Sequence, residues 1–377
     1  MAKYESSVYR GYNNLFEKNH NHYRNNSNYR PYLYCIHGIL NISSPVPLSE
    51  LYYFQVKQVG SVDLSIKEPI NGWQKNAGAR KIFRSKTAAT YSEHLDALGA
   101  KVCIEFLDKL QVSVSKLLLK SPHVLYVNVV EPLLRLLFAS KGYMLLHSAC
   151  LSRDGEGYLI SAPPDTGKTT TVLRCIKEAE LEFLSDDMTI VDSHGNLLTF
   201  PKPFTISSHT YHAFCSNGNG SIPSLRIRGY AHSRMGRKIL RLLGKLKIVP
   251  IFTVNAIAQY FVKPPKVKIT ELVGDVNHCR RTTMKSMYFL LKGRSEIREI
   301  SAKEAVTKAI WNSDDAFFFP PYDQIFPHIR INGFSFKDLL MKERQILSKI
   351  LSNREAFILQ SENHGWSQML SQSISMN

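Results

Sequence analysis

One octapeptide constrains this chain more than any other stretch. Ala162-Pro163-Pro164-Asp165-Thr166-Gly167-Lys168-Thr169 lies between an apolar run ending Leu159-Ile160-Ser161 and an amphipathic segment. In that segment Val172, Cys175, Ile176 and Ala179 recur at i, i+3, i+4 and i+7, the spacing of a helix with one buried face. A buried strand that ends in G-K-T and opens straight into a helix is the context of a phosphate loop, and it commits this region to an α/β architecture. Backbone N–H groups of such a loop point at a phosphate, and the helix N-terminus adds positive potential. The candidate nucleotide-binding residues are therefore Ala162, Pro163, Pro164, Asp165, Thr166, Gly167, Lys168, Thr169 and Thr170. Lys168 is expected to reach the β- and γ-phosphates and the Thr169 hydroxyl to ligate Mg²⁺. Ala162 replaces the first glycine of G-x-x-x-x-G-K-T, and Pro163 and Pro164 remove two N–H donors. The consequence is either a looser grip on phosphate or a rigid, selective loop.

Asp186 and Asp187 follow the loop's helix at the end of a strand-like run, flanked by Phe183-Leu184 and Ile190-Val191. Adjacent residues of an extended chain point to opposite sides, so the two carboxylates are expected to differ in role. One suits a general base for a hydroxyl acceptor and the other a Mg²⁺ ligand. His147 lies in the apolar run YMLLHSACLS, in phase with Leu145 and Ala149. That run, the turn Arg153-Asp154-Gly155-Glu156-Gly157 and the run GYLIS read as a hairpin feeding the loop.

These pieces together resemble the kinase domain of HPr kinase/phosphorylase and its HPr-kinase-like relatives, which share a fold with phosphoenolpyruvate carboxykinase. The resemblance is carried by His147, Gly155 and Gly157, Leu159-Ile160, Gly167-Lys168-Thr169 and Asp186-Asp187. It covers about forty residues closely and, more loosely, 130–300, including FPKPFTIS after the second hairpin. It implies a P-loop kinase fold using ATP and Mg²⁺, with Asp186 as base, Asp187 and Thr169 at the metal, and His147 near the transferred phosphate. Lys168 completes the catalytic set. The nearest counterpart of the family's L-E-I-R-G is Leu225-Arg226-Ile227-Arg228-Gly229, with Arg226 where a metal-binding glutamate belongs. An acceptor other than HPr follows: a small molecule, or the serine of a peptide or protein.

The rest of the chain divides by texture. Residues 1–30, rich in Asn, Tyr, His and Arg, read as a flexible basic arm. Residues 31–125 carry short β-branched and aromatic runs (YLYCIHGI, YYFQV, VDLSI, KVCIEF, QVSVS, HVLYVNV) and read as a small β-rich N-terminal domain. Residues 126–355 are the expected kinase domain with C-terminal helices. It includes a helix over LLRLLFAS, strands VKITEL and SMYFLL, a helix capped by Ser301 and Glu304, and a long helix near 335–352. Residues 356–377 read as a polar tail.

The formal charge of +17 points to anionic partners. Much of it lies in 225–249, where eight lysines and arginines interleave with leucines and no acid occurs. That segment reads as an amphipathic surface for anionic lipid, nucleic acid or an acidic acceptor, or as a helix packed on its own domain. The expected partners are a nucleotide, a hydroxyl-bearing acceptor, this anionic contact and a further copy of the chain. Six dispersed cysteines without a C-x-x-C pair, and no apparent signal or spanning segment, give an expectation of a cytoplasmic protein. Two alternatives stand beside the kinase: a carboxykinase-type enzyme, and a non-catalytic nucleotide-binding regulator. The absence of L-S-G-G-Q and N-K-x-D speaks against ABC-type and GTPase readings.

Overall fold

In the computed structural model the described residues are 30–68, 80–95, 98–107, 109–164, 166–205, 250–261, 266–317 and 319–376. The basic arm, Asp165 and the segment 225–249 lie outside them. The chain first builds an eight-stranded mixed sheet from β1 (Tyr32–Ile36), β2 (Leu40–Ser44), β3 (Gln55–Val56), β4 (Leu64–Lys67), β5 (Arg80–Arg84), β6 (Ala88–Leu95), β7 (Leu98–Glu105) and β8 (Leu110–Val114). Their order is β3-β1-β2-β4-β8-β7-β6-β5. Alternation decides its faces: in β2, Leu40, Ile42 and Ser44 are buried and Asn41 and Ser43 half-buried. The run YYFQV, expected as a strand, is a 3₁₀ helix over Ser49–Phe54 that leaves only Gln55–Val56 extended.

The run HVLYVNV is also helical. It belongs to a continuous helical stretch, α1 (Pro122–Ser140), containing a π-helical turn over Tyr126–Val130. Pro122 at the first turn needs no N–H partner, and the helix is apolar almost all round because it is buried almost all round. It is long and apolar enough to cross a membrane, and 83% of it is buried inside the protein, as for a core helix. Its Val129, Leu133, Leu136 and Phe138 join Ile42, Val102 and Val112 of the first sheet in one core. The boundary expected at 125/126 thus falls inside a helix, and the regions on either side share that core.

A nine-stranded mixed sheet follows: β9 (Tyr143–Leu146), β10 (Ala149–Arg153), β11 (Glu156–Ser161), β12 (Glu182–Ser185), β13 (Thr189–Asp192), β14 (Asn196–Leu198), and, after the small pair β15 (Phe204–Thr205) and β16 (Lys266–Val267), β17 (Arg281–Lys292), β18 (Glu296–Glu299) and, after the pair β19 (Arg330–Ile331) and β20 (Phe334–Ser335), β21 (Glu355–Ser361). VKITEL is extended only over Lys266–Val267 and then turns into a short helix, Ile269–Val273. Strand β17 pairs in parallel with β11 and β21, which makes the centre of the sheet parallel.

Helices cover both faces of this sheet. One face packs on α2 (Lys168–Ala179), and the other on α4 (Ala302–Asp315) and α5 (Phe336–Leu351); α3 (Ile251–Phe261) packs instead against β6 and β7. Alternate residues serve the two layers: Leu151 and Ile160 meet the α2 side, while Cys150 and Leu159 meet the α4–α5 side. The expected polar tail is instead the end of the sheet and a helix, α6 (Trp366–Met376), which packs beside α2. Trp366, Leu370 and Ile374 repeat every four residues and are buried, which ties this Ser- and Gln-rich segment down. The whole is a mixed α/β protein, with Tyr32–Asn377 as one compact unit.

Candidate active site

Two chain segments break at the same level of the larger sheet, and the site lies at the breaks. Strands β9 and β13 pair, with Leu146 opposite Thr189, and β10 pairs with β12, with Cys150 opposite Ser185. Between them the two antiparallel segments leave the ladder together, one at His147-Ser148 and the other at Asp186-Asp187-Met188. The run YMLLHSACLS is therefore not a single strand, and His147 occupies its interruption. Buried hydroxyls stitch the gap: Thr189 Oγ1 donates to the Ser148 carbonyl at 3.0 Å and lies 2.8 Å from Ser185 Oγ.

Residues 162–164 and 166–167 open beside this gap, between β11 and α2, and Lys168, Thr169 and Thr170 form the first turn of α2. Gly167, the residue before the helix, has φ +110°, a conformation that glycine adopts without steric cost. Its Cα faces the C-terminal segment: a Cβ there would stand 3.3 Å from His364 Nδ1 and 3.4 Å from the Trp366 ring. Trp366 is itself pinned, its indole N–H reaching the carbonyls of Leu359 (3.0 Å) and Leu291 (3.2 Å). Ala162 is buried in the α2-side core and Thr166 N–H bonds the Pro163 carbonyl at 3.3 Å, so the two prolines shape a turn here. The first N–H groups of α2, including those of Thr169 and Thr170, are free of helical partners by construction.

Five side chains converge from the two breaks and the loop. The Thr169 hydroxyl donates to Asp186 Oδ2 at 3.0 Å. Lys168 Nζ lies 3.5 Å from Asp187 Oδ1, buried and without a hydrogen-bond acceptor. His147 Nε2 is 3.2 Å from the same Asp187 oxygen. Its Nδ1 stands 3.0 Å from the Asn312 carbonyl, which can only accept, so Nδ1–H is the donor and Nε2 is the nitrogen turned to the cleft. The terminal turn of α4 also holds the backbone around it, Ser313 Oγ accepting from the His147 backbone N–H at 3.2 Å and Asn312 Nδ2 donating to Ser161 Oγ at 2.9 Å.

The two aspartates differ as adjacent residues on an extended chain should. Burial pushes the Asp186 carboxyl up to about 6, helped by the Asp187 charge and opposed by Lys168 and Thr169. Its Oδ1 is buried without a hydrogen-bond partner. Desolvation raises the Asp187 carboxyl too, but Lys202, Lys168 and His147 outweigh it and hold the carboxyl well below the usual range. Asp187 is also the more open group, 42% exposed.

Two further residues complete the cluster. Lys202, in the Phe200-Pro201-Lys202-Pro203 segment before β15, places Nζ 2.5 Å from Asp187 Oδ2 and 2.8 Å from Glu131 Oε2. Glu131 comes from α1 and is buried, which raises its carboxyl despite Lys202. Neither was singled out in the sequence as a site residue; Lys202 lies in the family-like FPKPFTIS. Among the described residues no cluster of three or more His, Cys, Asp or Glu side chains forms a metal site. The oxygen donors present are Thr169 Oγ1, Asp186 Oδ1 and Asp187, a set that suits Mg²⁺, which binds one or two carboxylates and completes its shell with water and substrate phosphate.

No protein-family model matches the chain, and no curated protein does either.

Proposed function

We propose that the chain is an ATP-dependent kinase of the HPr-kinase-like kind, transferring phosphate to a hydroxyl acceptor. One observation carries the reading. A carboxyl raised to about 6, Asp186, sits hydrogen-bonded to the G-K-T threonine, next to a second carboxyl held ionised by two lysines and a histidine. A general base works best when its pKa lies near the working pH, and an ionised neighbour suits a hard cation.

In this reading the α2 N-terminus and Lys168 bind the β- and γ-phosphates, and Lys168, whose ammonium lacks an acceptor in the free protein, gains one on binding. Thr169 and Asp187 would hold Mg²⁺, which neutralises phosphate charge when bound. Asp186 takes the proton of the acceptor hydroxyl as its oxygen bonds to phosphorus and the bond to the ADP oxygen breaks. His147, fixed by Asn312 and Ser313, directs Nε2 at the same region and steadies charge there. Such a buried, prearranged cluster needs little reorganisation during transfer, which is where positioned charges are most effective.

A carboxykinase-type reading gains from one feature: Lys202 and His147 meet at Asp187, a lysine and histidine about one acid. The test for both is turnover of Mg-ATP against a panel of hydroxyl-bearing small molecules, serine peptides and a β-keto acid, with the phosphorylated product identified by mass spectrometry. The kinase reading expects a phosphate ester that Lys168→Ala abolishes. Decarboxylation of the keto acid would move the assignment to the second reading, and no nucleotide turnover or binding at all would refute both.

A further inference from the structure

Lys202 is given no part in the transfer described above, yet its placement is unusual. Its side chain is 13% exposed and lies between the Glu131 and Asp187 carboxylates. Phe200 and Phe204, both buried, anchor the segment that carries it. Burying an ammonium is costly unless oppositely charged groups surround it, and here Glu131, only 6% exposed on a core helix, already supplies one. The second contact, to Asp187, is thus available for exchange.

The arrangement around Asp187 is two-sided. Lys168 and His147 approach Oδ1, while Lys202 approaches Oδ2. Asp187 is 42% exposed, whereas Lys168 and Lys202 are 12% and 13% exposed, so the carboxylate is the open member and the two ammonium groups lie deeper, one at each of its oxygens. An anion that takes the place of that carboxylate meets both.

We propose that Lys202 is a second phosphate-binding cation, contacting the transferred γ-phosphoryl group from the flank opposite Lys168, with Glu131 as the positioning residue that holds it. The proposal rests on the kinase reading. Lys168, at the mouth of α2, serves the β- and γ-phosphates alike. Lys202 meets Asp187 at the oxygen opposite the one that Lys168 and His147 approach, and on this proposal it meets the terminal phosphoryl group alone. Glu131 keeps the lysine extended when Asp187 turns to another partner.

The test is calorimetric titration of the full chain with Mg-ATP and with Mg-ADP, comparing the parent, Lys202→Met and the double variant Lys202→Met/Glu131→Gln. The double variant removes both members of the buried pair, so it remains informative where the single variant leaves Glu131 unpaired and fails to fold. Loss of a charge-assisted contact to the γ-phosphate is expected to weaken Mg-ATP by on the order of 10-fold or more while Mg-ADP changes by less than about 3-fold. Equal weakening of both nucleotides, as for a metal ligand or a merely structural lysine, overturns the proposal and leaves the kinase reading standing, as does no change in either. A parent that binds neither nucleotide overturns both.

Discussion

Replacing Asp186 by asparagine is expected to stabilise the protein while removing its activity. Burial raises this carboxyl from 3.8 to about 6, so the folded state binds its proton more tightly than the unfolded chain. A group of this sign favours folding below about pH 4, and that contribution is lost as pH rises through about 6. At pH 8 the ionised carboxylate therefore costs about two pKa units, or ~3 kcal/mol, and at pH 5 roughly half as much. Asparagine keeps an oxygen for the Thr169 hydroxyl and carries no charge to desolvate. Asp186→Asn should then raise Tm by about 4 °C at pH 8 for a unit of this length, and by about 2 °C at pH 5. Scanning calorimetry at the two pH values measures it, beside single-turnover transfer, which should fall by on the order of 10²–10⁴. A variant that melts lower than the parent at pH 8, or whose Tm difference is the same at both pH values, would refute the argument that burial controls this group.

The parent's transfer rate should fall on the acid side with an apparent pKa near 6, the ionised base being lost below it; a rate flat from pH 5 to 8 would remove Asp186 from that role. Lys168→Ala should abolish the thermal shift given by Mg-ATP, and an equal shift in variant and parent would remove Lys168 from the site. Gly167→Ala places a Cβ 3.3 Å from His364 Nδ1 at φ +110°, and a loss of about 1–2 kcal/mol in chemical denaturation is expected, with weaker nucleotide binding. Arg135 is buried on the Glu343 carboxylate, both oxygens at 2.7 Å, so Arg135→Met should cost about 3–5 kcal/mol and Arg135→Met/Glu343→Leu much less.

The sequence exposed those parts of the molecule whose signal is local. A strand, a G-K-T turn and an amphipathic helix are written in consecutive residues, and so is a pair of acids at a strand end; the structure brings His147, Lys168, Thr169, Asp186 and Asp187 together. Asn312 was invisible because its backbone carbonyl holds His147, and any residue type carries a carbonyl. Lys202 lay in the family-like FPKPFTIS with no role assigned, although the phenylalanines on either side, Phe200 and Phe204, were a hint that the segment is packed. The helix α1 was misjudged where burial on all sides erases the 3.6-residue rhythm and leaves only β-branched composition to read. The end of the chain failed the other way: abundant Ser and Gln hid a four-residue repeat of Trp366, Leu370 and Ile374.

Trp366 gives the molecule an order of assembly in time. The Gly167–Lys168 turn is made about 200 residues before the indole that backs it, an interval of roughly 10–40 s at ordinary rates of translation. Until β21 and α6 emerge, the α2 face that packs on them stays bare and Gly167 lacks the wall behind it. A nascent chain halted before this point would carry every residue of the candidate site and still present a slack loop. A firm Gly167–Lys168 turn is thus expected only once α6 has been made.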